Sequence, residues 1–482
     1  MVAVAPVPVS DGIRAWLAVG AERVVETSIA WVFLYPDRAL KLKKAVDFGF
    51  LDFTSIDQRR WATERELALN RQTAPDIYRA VHPVVRRPDG ALALGGEGEV
   101  LDWVLEMRRF PDDAVLAEQV DRIDGSLGEA LGREIARFHA RAERIDRKGR
   151  EVVRYVLDSN AHLLRSQSGR LGGAVERVMA GSEAEFGRLA PLLDRRGAAG
   201  FVRRCHGDLH LANLLMEQPG RPVLFDCIEF NDELSHIDVL YDFAFLLMDL
   251  RFRGCAEAAN RALNGWLDEA ARSFPASGFW DGLALLPLFQ SMRAAIRAHV
   301  TIHQDEAETA RAYLAAAEAH LAEGPSPRLV AVGGRSGSGK STRSRAIAPG
   351  LGPAPGAVVL RSDEVRKRIF GVGPMDRLPP DHYTPEASAR TYAALYDEAR
   401  ACLAAGWTVV LDAAFLHPGE RADAEGLAAS AGVPFEGIWM DTPPDELRRR
   451  VAARRDDASD ADVAVLERQL GQDVGDIGWP RG

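Results

Sequence analysis

The sequence predicts two domains in tandem: an α+β domain with its strands first and its helices after, then an α/β domain on a parallel sheet. Three observations predict this. The chain has 482 residues, too many for one hydrophobic core, and a prior of about 150 residues per domain suggests two or three. Gly324, Pro325, Ser326 and Pro327 form a helix-stopping linker, which divides 1–323 from 324–482. Beyond the linker, β-rich runs alternate with helical segments, the pattern of parallel strands joined by crossover helices.

In the first domain, residues 29–34 and 39–43 read as strands separated by the turn-like Tyr35, Pro36 and Asp37. Residues 56–73 carry Trp61, Leu67 and Leu69 at helical spacing among charges, and Pro75 ends that helix. Strands at 80–85 and 103–107 complete a strand-rich lobe of about 20–108. The rest, about 109–323, reads as helical apart from one polar stretch between Cys205 and Asp232. In the second domain, strands are expected at 329–332, 357–360, 408–411 and 435–440.

A composition of 47% hydrophobic and 27% charged residues excludes wholesale disorder and fibrous repeats. The net charge is -10, and from Pro325 onward 20 basic residues face 22 acidic ones, leaving 40 against 48 before it. Neither part is basic, which disfavours nucleic acid as a partner. The four cysteines include no C-x-x-C pair, so a disulfide scaffold or zinc ribbon is not indicated and a reducing compartment fits. Residues 1–10 lack a basic leader, and no apolar run approaches the roughly 18 residues that span a bilayer. A cytoplasmic protein with no membrane partner is expected; the sequence sets no oligomeric state.

The polar stretch holds the first chemistry. His206-Gly207-Asp208-Leu209-His210-Leu211-Ala212-Asn213 contains D-x-x-x-x-N, the spacing by which protein kinases place a base and a magnesium-binding asparagine, and Asp226 lies thirteen residues beyond Asn213. A hydrolytic metal site on His206, Asp208 and His210 is the competing chemistry, but leaves Asn213 and Asp226 without roles. Arg38-Ala39-Leu40-Lys41 fits the register of the kinase strand lysine that binds nucleotide phosphates and pairs with a helix glutamate. Lys41 is the first choice with Lys43 on the same face in reserve; Glu66 is the preferred partner and Glu64 the alternative.

This stretch, with Phe138-His139 upstream and Asp242-Phe243-Ala244 downstream, resembles aminoglycoside phosphotransferases and choline-kinase-like enzymes over about residues 20–320. The resemblance implies a protein-kinase-like fold with Asp208 as base, Asn213 and Asp226 as magnesium ligands, Asp242 as a support of the loop, and His206 and His210 as architectural. One departure is plain: residues 24–29 contain no G-x-G-x-x-G flap, so covering the nucleotide falls to hydroxyls or backbone. Glu229 and Asp232 are candidates to contact an acceptor, and Arg293 and Arg297, four apart on a helix, are candidates for an anion-binding face.

Gly334-Arg335-Ser336-Gly337-Ser338-Gly339-Lys340-Ser341, followed by Thr342, satisfies G-x-x-x-x-G-K-[ST] between a strand and a helix. Backbone N–H groups there face phosphates, Lys340 reaches the β- and γ-phosphates, and Ser341 ligates magnesium. Asp412 ends a strand and is the second metal candidate. Asp363, also at a strand end, is placed to accept a hydroxyl proton, with Arg366 or Lys367 on an acceptor anion. A helix over 446–455 bears five arginines, of which Arg454 and Arg455 are chosen as lid residues over the nucleotide.

Residues 327–482 resemble P-loop kinases of the zeta-toxin, polynucleotide-kinase and chloramphenicol-phosphotransferase type, which implies Asp363 as base and Arg366 as its acceptor-side contact. Both parts together resemble bacterial bifunctional aminoglycoside-phosphotransferase-like, ATP-binding proteins. The implied activity is ATP- and Mg2+-dependent phosphorylation of small hydroxylated metabolites, sugars or amino sugars, at two sites. Two rivals stand beside it: a single kinase site regulated by a nucleotide-sensing P-loop domain, and a nucleic-acid 5'-hydroxyl kinase.

Overall fold

Alternating side chains in the strands Ala30–Leu34 and Arg38–Lys43 send Phe33, Leu40 and Leu42 into one core with Val84 and Val104. Leu34 and Ala39 pack on a separate core with Tyr78, Leu105 and Met107. The computed structural model that shows this describes residues 11–49, 51–322, 324, 326–454 and 458–482. Its compact units are Met1–Arg122 with Arg203–Ile237, and Ile123–Val202 with Asp238–Gly482.

The first unit is built on a six-stranded sheet in the order Arg23–Glu26, Ala30–Leu34, Arg38–Lys43, Glu99–Arg108, Tyr78–Arg86, Leu92–Leu94, antiparallel throughout. The helix Ile56–Asn70 opens with a capping box between Ser55 and Gln58, which satisfies two of the N–H groups a helix start leaves over. It ends three residues earlier than expected. The strand Arg23–Glu26 is exposed at every position, so it carries no apolar alternation to read from sequence. A hairpin of Leu214–Gln218 and Arg221–Leu224 lies within the polar stretch and leads into Asp226.

The second unit contains the helical part and the parallel sheet. Helices Gly125–Arg141 and Ala256–Ala270 cross so closely that a Cβ on Gly132 would lie 2.1 Å from the Ala262 carbonyl oxygen. The helix Leu286–His303 runs through a core that includes Phe245, Met248, Ala294, Ala298 and Tyr313. The parallel sheet has the order Val358–Arg361, Val409–Asp412, Leu329–Gly333, Phe435–Trp439, each strand within a residue or two of its expected place.

Its edge strand is not left bare. Asn264 Oδ1 accepts from Val359 N at 2.6 Å, and Asn260 and Asn264 both donate to the Ala357 carbonyl, so the helix Ala256–Ala270 satisfies backbone groups that an open edge exposes. No helix among the described residues is long and apolar enough to cross a membrane.

Candidate active sites

Strand alternation places Ala39, Lys41 and Lys43 on one face, and the helix Ile56–Asn70 brings Glu66 beneath them. Lys41 Nζ donates to Glu66 Oε1 at 2.7 Å and to Asp226 Oδ1 at 2.8 Å. Lys43, 1% exposed, holds the other oxygen of Glu66 at 2.6 Å and is also bonded to Glu229. Burial would raise the Glu66 carboxyl, but Lys41 and Lys43 together hold it down at about 2. Burial likewise opposes charge on Lys41, and Asp226 and Glu66 outweigh it, lifting its pKa well above the ordinary lysine value. Glu64 instead pairs with Arg60 one turn away at 2.9 Å on the surface.

The loop from His206 to Asn213 is held against Phe225, next to Asp226 of this ion cluster, by the Phe225 N–H on the Asn213 oxygen at 3.2 Å and by His206 on the Phe225 oxygen at 2.9 Å. Asn213 Nδ2 donates to both the backbone oxygen and Oδ2 of Asp208, each at 2.8 Å, which turns its own Oδ1 into the atom available to a cation. Asp226 has a φ of +59°, and its N–H donates to the Tyr78 hydroxyl at 3.0 Å. Asp208 and Asp226 remain 39% and 43% exposed. Asn213 and Asp226 supply hard oxygen donors of the kind magnesium takes. His206 bonds the Phe225 carbonyl through Nε2 at 2.9 Å, and the N–H of Ala212 donates to His210 Nδ1 at 3.2 Å; both histidines brace the loop.

A pocket of about 720 Å³ opens from Lys41 and Asp226. Val25, Val32, Leu34, Ala39, Met107 and Phe110 line its apolar part, and charged residues such as Arg23, Arg108, Arg109 and Asp113 border the rest, a concave site of the size that holds a small molecule. Over residues 24–29, where a glycine-rich flap was absent from the sequence, the Thr27 hydroxyl closes the turn by donating to the Ala30 oxygen at 3.1 Å and accepting from the Ala30 N–H at 3.0 Å.

Four expected acceptor-side contacts are otherwise engaged. Glu229 is buried against Lys43, and Asp232 is tied to Arg65 and Arg204. Arg293 is 4% exposed, lies 3.8 Å over the Tyr241 ring and donates to the Tyr241 carbonyl at 3.1 Å. Arg297 lies over Tyr313 at 5.6 Å. The helix carrying both arginines is surrounded by core on most sides, so aromatic faces take them and no open anion-binding face results. Asp242, fully buried, meets His139 Nε2 at 3.1 Å, a supporting position.

In the second unit the strand Leu329–Gly333 runs into the loop 334–339 and the helix Lys340–Ile347. Gly334 has a φ of +143°, and a Cβ there would lie 2.8 Å from the Met440 carbonyl oxygen; only glycine lets the loop pass. A pocket of about 750 Å³ is lined by residues 337–343 together with Ala346, Met440, Arg450, Ala453 and Arg454, so the loop residues Gly337, Ser338, Gly339, Lys340, Ser341 and Thr342 border it. Arg335 and Ser336 are instead bonded to Gln469, at 3.1 and 2.8 Å. Lys340 Nζ donates to the Arg335 oxygen at 3.0 Å; burial lowers its pKa against the pull of Asp412 and Asp363. Burial raises the Asp363 carboxyl, a shift that suits a proton acceptor.

On the acceptor side, Arg366 donates to the His382 carbonyl at 3.0 Å and lies 4.9 Å over the Tyr383 ring. Lys367 is 1% exposed and spent on the Pro374 carbonyl and Asp460, which takes it out of an open anion site. The helix with the arginines is Pro444–Ala453; Arg454 follows it at the pocket, and Arg455 lies outside the described residues. Sequence reasoning missed Arg361, whose guanidinium touches both Ser341 Oγ and Asp412 Oδ2 at 3.2 Å. It also missed Tyr78 and Gln469. No motif marks these residues; only the fold brings them in.

Residues 61–276 match the model of the phosphotransferase enzyme family, and residues 329–472 match that of an AAA domain. Over 485 aligned residues the chain is 33% identical to the uncharacterized protein Rv2004c of Mycobacterium tuberculosis, covering 95% of this chain and 93% of that one. Among solved structures, a choline/ethanolamine kinase family protein from Mesorhizobium loti aligns at 14% identity over 66% of this chain and 96% of its own, with a TM-score of 0.39. The APS kinase of Mycobacterium tuberculosis, in complex with AMPPNP and APS, aligns at 26% over 27% of this chain and 70% of its own, with a TM-score of 0.22. The fold expectation holds: a kinase-like phosphotransferase domain is followed by a P-loop domain on a parallel sheet.

Proposed function

The chain belongs to the same family as the uncharacterized protein Rv2004c of Mycobacterium tuberculosis, and from that premise and the geometry above we propose that it is a bifunctional ATP-dependent kinase. Each domain, 1–323 and 324–482, carries one phosphoryl-transfer site, and the acceptor is a hydroxyl of a small metabolite such as a sugar or amino sugar. The observation that carries the reading is Lys41, held by Glu66 and Asp226 next to the paired Asp208 and Asn213 at the mouth of that pocket.

In the first site Lys41 neutralises nucleotide phosphates, Asp208 takes the proton of the attacking hydroxyl, and Asn213 and Asp226 hold magnesium. Magnesium held there would supply positive charge to offset the charge that develops on the transferring phosphates. In the second site the loop 334–339 cradles phosphates with Lys340 and Thr342 and with Arg454 at the pocket rim, Ser341 and Asp412 hold the metal, and Asp363 is the base beside Arg366. Asp363 is suited to this because its raised pKa strengthens it as a proton acceptor.

The test is ADP release by the full chain with a panel of sugars, amino sugars and nucleosides, repeated with Asp208→Asn and with Lys340→Ala. Two enzymes in one chain predict that each substitution abolishes a different phosphorylation. A second reading, one kinase site governed by a nucleotide-sensing P-loop domain, draws on the ion pairs Arg361–Glu364, Glu364–Arg133 and Arg133–Asp268, which join the P-loop to the helix Gly125–Arg141. It predicts that Lys340→Ala alters only the rate or affinity of the first site. No phosphorylation by the unaltered chain with any acceptor would defeat both.

A further inference from the structure

Arg361 and Asp412 end neighbouring strands and stand opposite each other in the parallel register. Arg361 is 5% exposed and Asp412 4%. The bonds of the guanidinium include Nε to Asp412 Oδ2 at 3.2 Å, Nη2 to Ser341 Oγ at 3.2 Å, and Nη1 to Glu364 Oε1 at 3.1 Å. Two of these partners are the hydroxyl and carboxylate that the proposed function gives to magnesium, so this inference rests on that reading. An arginine keeps its charge at any working pH. A fixed cation therefore bridges the two oxygens that a divalent cation needs.

The third bond provides somewhere for the guanidinium to stay. Glu364 is 7% exposed, and its Oε1, the oxygen that Arg361 holds, is also approached by Arg133 at 3.5 Å. Arg133 is in turn held by Asp268 at 2.6 Å. A metal that takes Ser341 and Asp412 would break those two bonds of Arg361 and leave the bond to a well-anchored carboxylate in place.

We propose that Arg361 is the resident counter-cation of the P-loop metal site, bridging Ser341 and Asp412 until metal and nucleotide displace it onto Glu364. It sets how strongly nucleotide affinity depends on magnesium. With the guanidinium in place, Asp412 is neutralised and phosphates are admitted without metal. Without it, the carboxylate repels phosphates until a divalent ion arrives, and that ion meets no competitor.

The experiment measures AMPPNP binding calorimetrically to the full chain carrying Lys41→Met to weaken the first site, in EDTA and in excess magnesium. Arg361→Met is expected to raise the ratio of the two dissociation constants about ten-fold, within the ordinary range for coupled ligands. In the same chain without nucleotide, the electron paramagnetic resonance of free Mn2+ should show extra retained Mn2+ with Arg361→Met, lost again when Asp412→Asn is added. If both dissociation constants shift together and Mn2+ retention does not change, Arg361 only braces the strand end and the proposal is overturned. Should Arg361→Met fail to fold, Arg361→Lys, which keeps charge but not the three-way fork, is expected to give an intermediate ratio; an unchanged ratio counts against the proposal. Binding indifferent to Lys340→Ala would bring down the P-loop reading, and this inference with it.

Discussion

Lys43 Nζ lies 2.6 Å from Glu66 Oε2, on the carboxylate oxygen opposite the one that Lys41 holds. One fully buried glutamate thus serves two lysines, and its protonation matters to the fold. Its carboxyl, ordinarily at 4.5, is held at about 2. A lowered folded-state value means that the stabilisation is complete above about pH 4.5 and is lost as pH falls toward 2. The gap corresponds to about 3 kcal/mol. Unfolding by urea between pH 6 and pH 2 should show Glu66→Gln lacking that part of the acid-limb loss, and identical slopes for both proteins would contradict the assignment.

The two lysines divide their work by exposure. Lys41 is 12% exposed at the pocket, whereas Lys43 is sealed between Glu66 and Glu229. Lys41→Met should cut ADP release from the first site by about a hundred-fold, the loss typical of one electrostatic contact to a transferring group, while costing less stability than Lys43→Met because Glu66 keeps Lys43 and Asp226 is 43% exposed. Lys43→Met leaves the buried Glu229 without its ion-pair partner and Glu66 with one lysine in place of two, and should cost about 3 kcal/mol of stability. Equal effects of both substitutions on activity, at equal stability, would erase the distinction.

What could be read in advance follows from how local the information is. The loop from His206 to Asn213, the P-loop and the strand carrying Lys41 are short motifs whose residues stand at fixed spacings, so their chemistry was visible before any contact was known. Glu66 over Glu64 was a choice of helix face, and burial of one and exposure of the other follows the helical period. Local charge and spacing alone make Lys367, Arg293 and Glu229 look like ligand contacts: Lys367 follows a strand-end acid, Arg293 stands four residues from Arg297, and Glu229 sits in an acid-rich loop. Asp460, Tyr241 and Lys43, which take them up, lie 93, 52 and 186 positions away. Arg361 escaped for the same reason: it belongs to no motif, and only strand register sets it against Asp412.

His139 shows how such distant partners settle a proton. Trp266 Nε1 points at His139 Nδ1 at 3.1 Å, and an indole can only donate. Nδ1 of the neutral ring is therefore the acceptor, and Nε2 carries the hydrogen that it donates to Asp242 Oδ2 at 3.1 Å. Asp242→Ala leaves that donor buried and without its acceptor, and should cost about 2 kcal/mol. Asp242→Asn keeps an acceptor oxygen there and should cost less than half as much. Nitrogen NMR of the His139 ring should report the Nε2–H form; the opposite tautomer would refute the arrangement.

Gly334 offers the sharpest separation of binding from folding in the second domain. It opens the phosphate loop at a φ of +143°, and an added Cβ would sit 2.7 Å from Ser338 Oγ as well as against the Met440 carbonyl. The strand before it and the helix after it owe their stability to the core of Val330, Val332 and Val410, not to the loop. Gly334→Ala adds backbone strain of about 1–3 kcal/mol, which the loop relieves by moving its N–H groups out of line with the phosphates. AMPPNP affinity at this site should fall at least about ten-fold, the equivalent of 1.4 kcal/mol, with the thermal midpoint lowered by only a few degrees. Gly350→Ala, where a Cβ meets nothing within 4 Å, should leave both unchanged, and a matching loss of affinity in that control would mean that the loop conformation is not what binds phosphate.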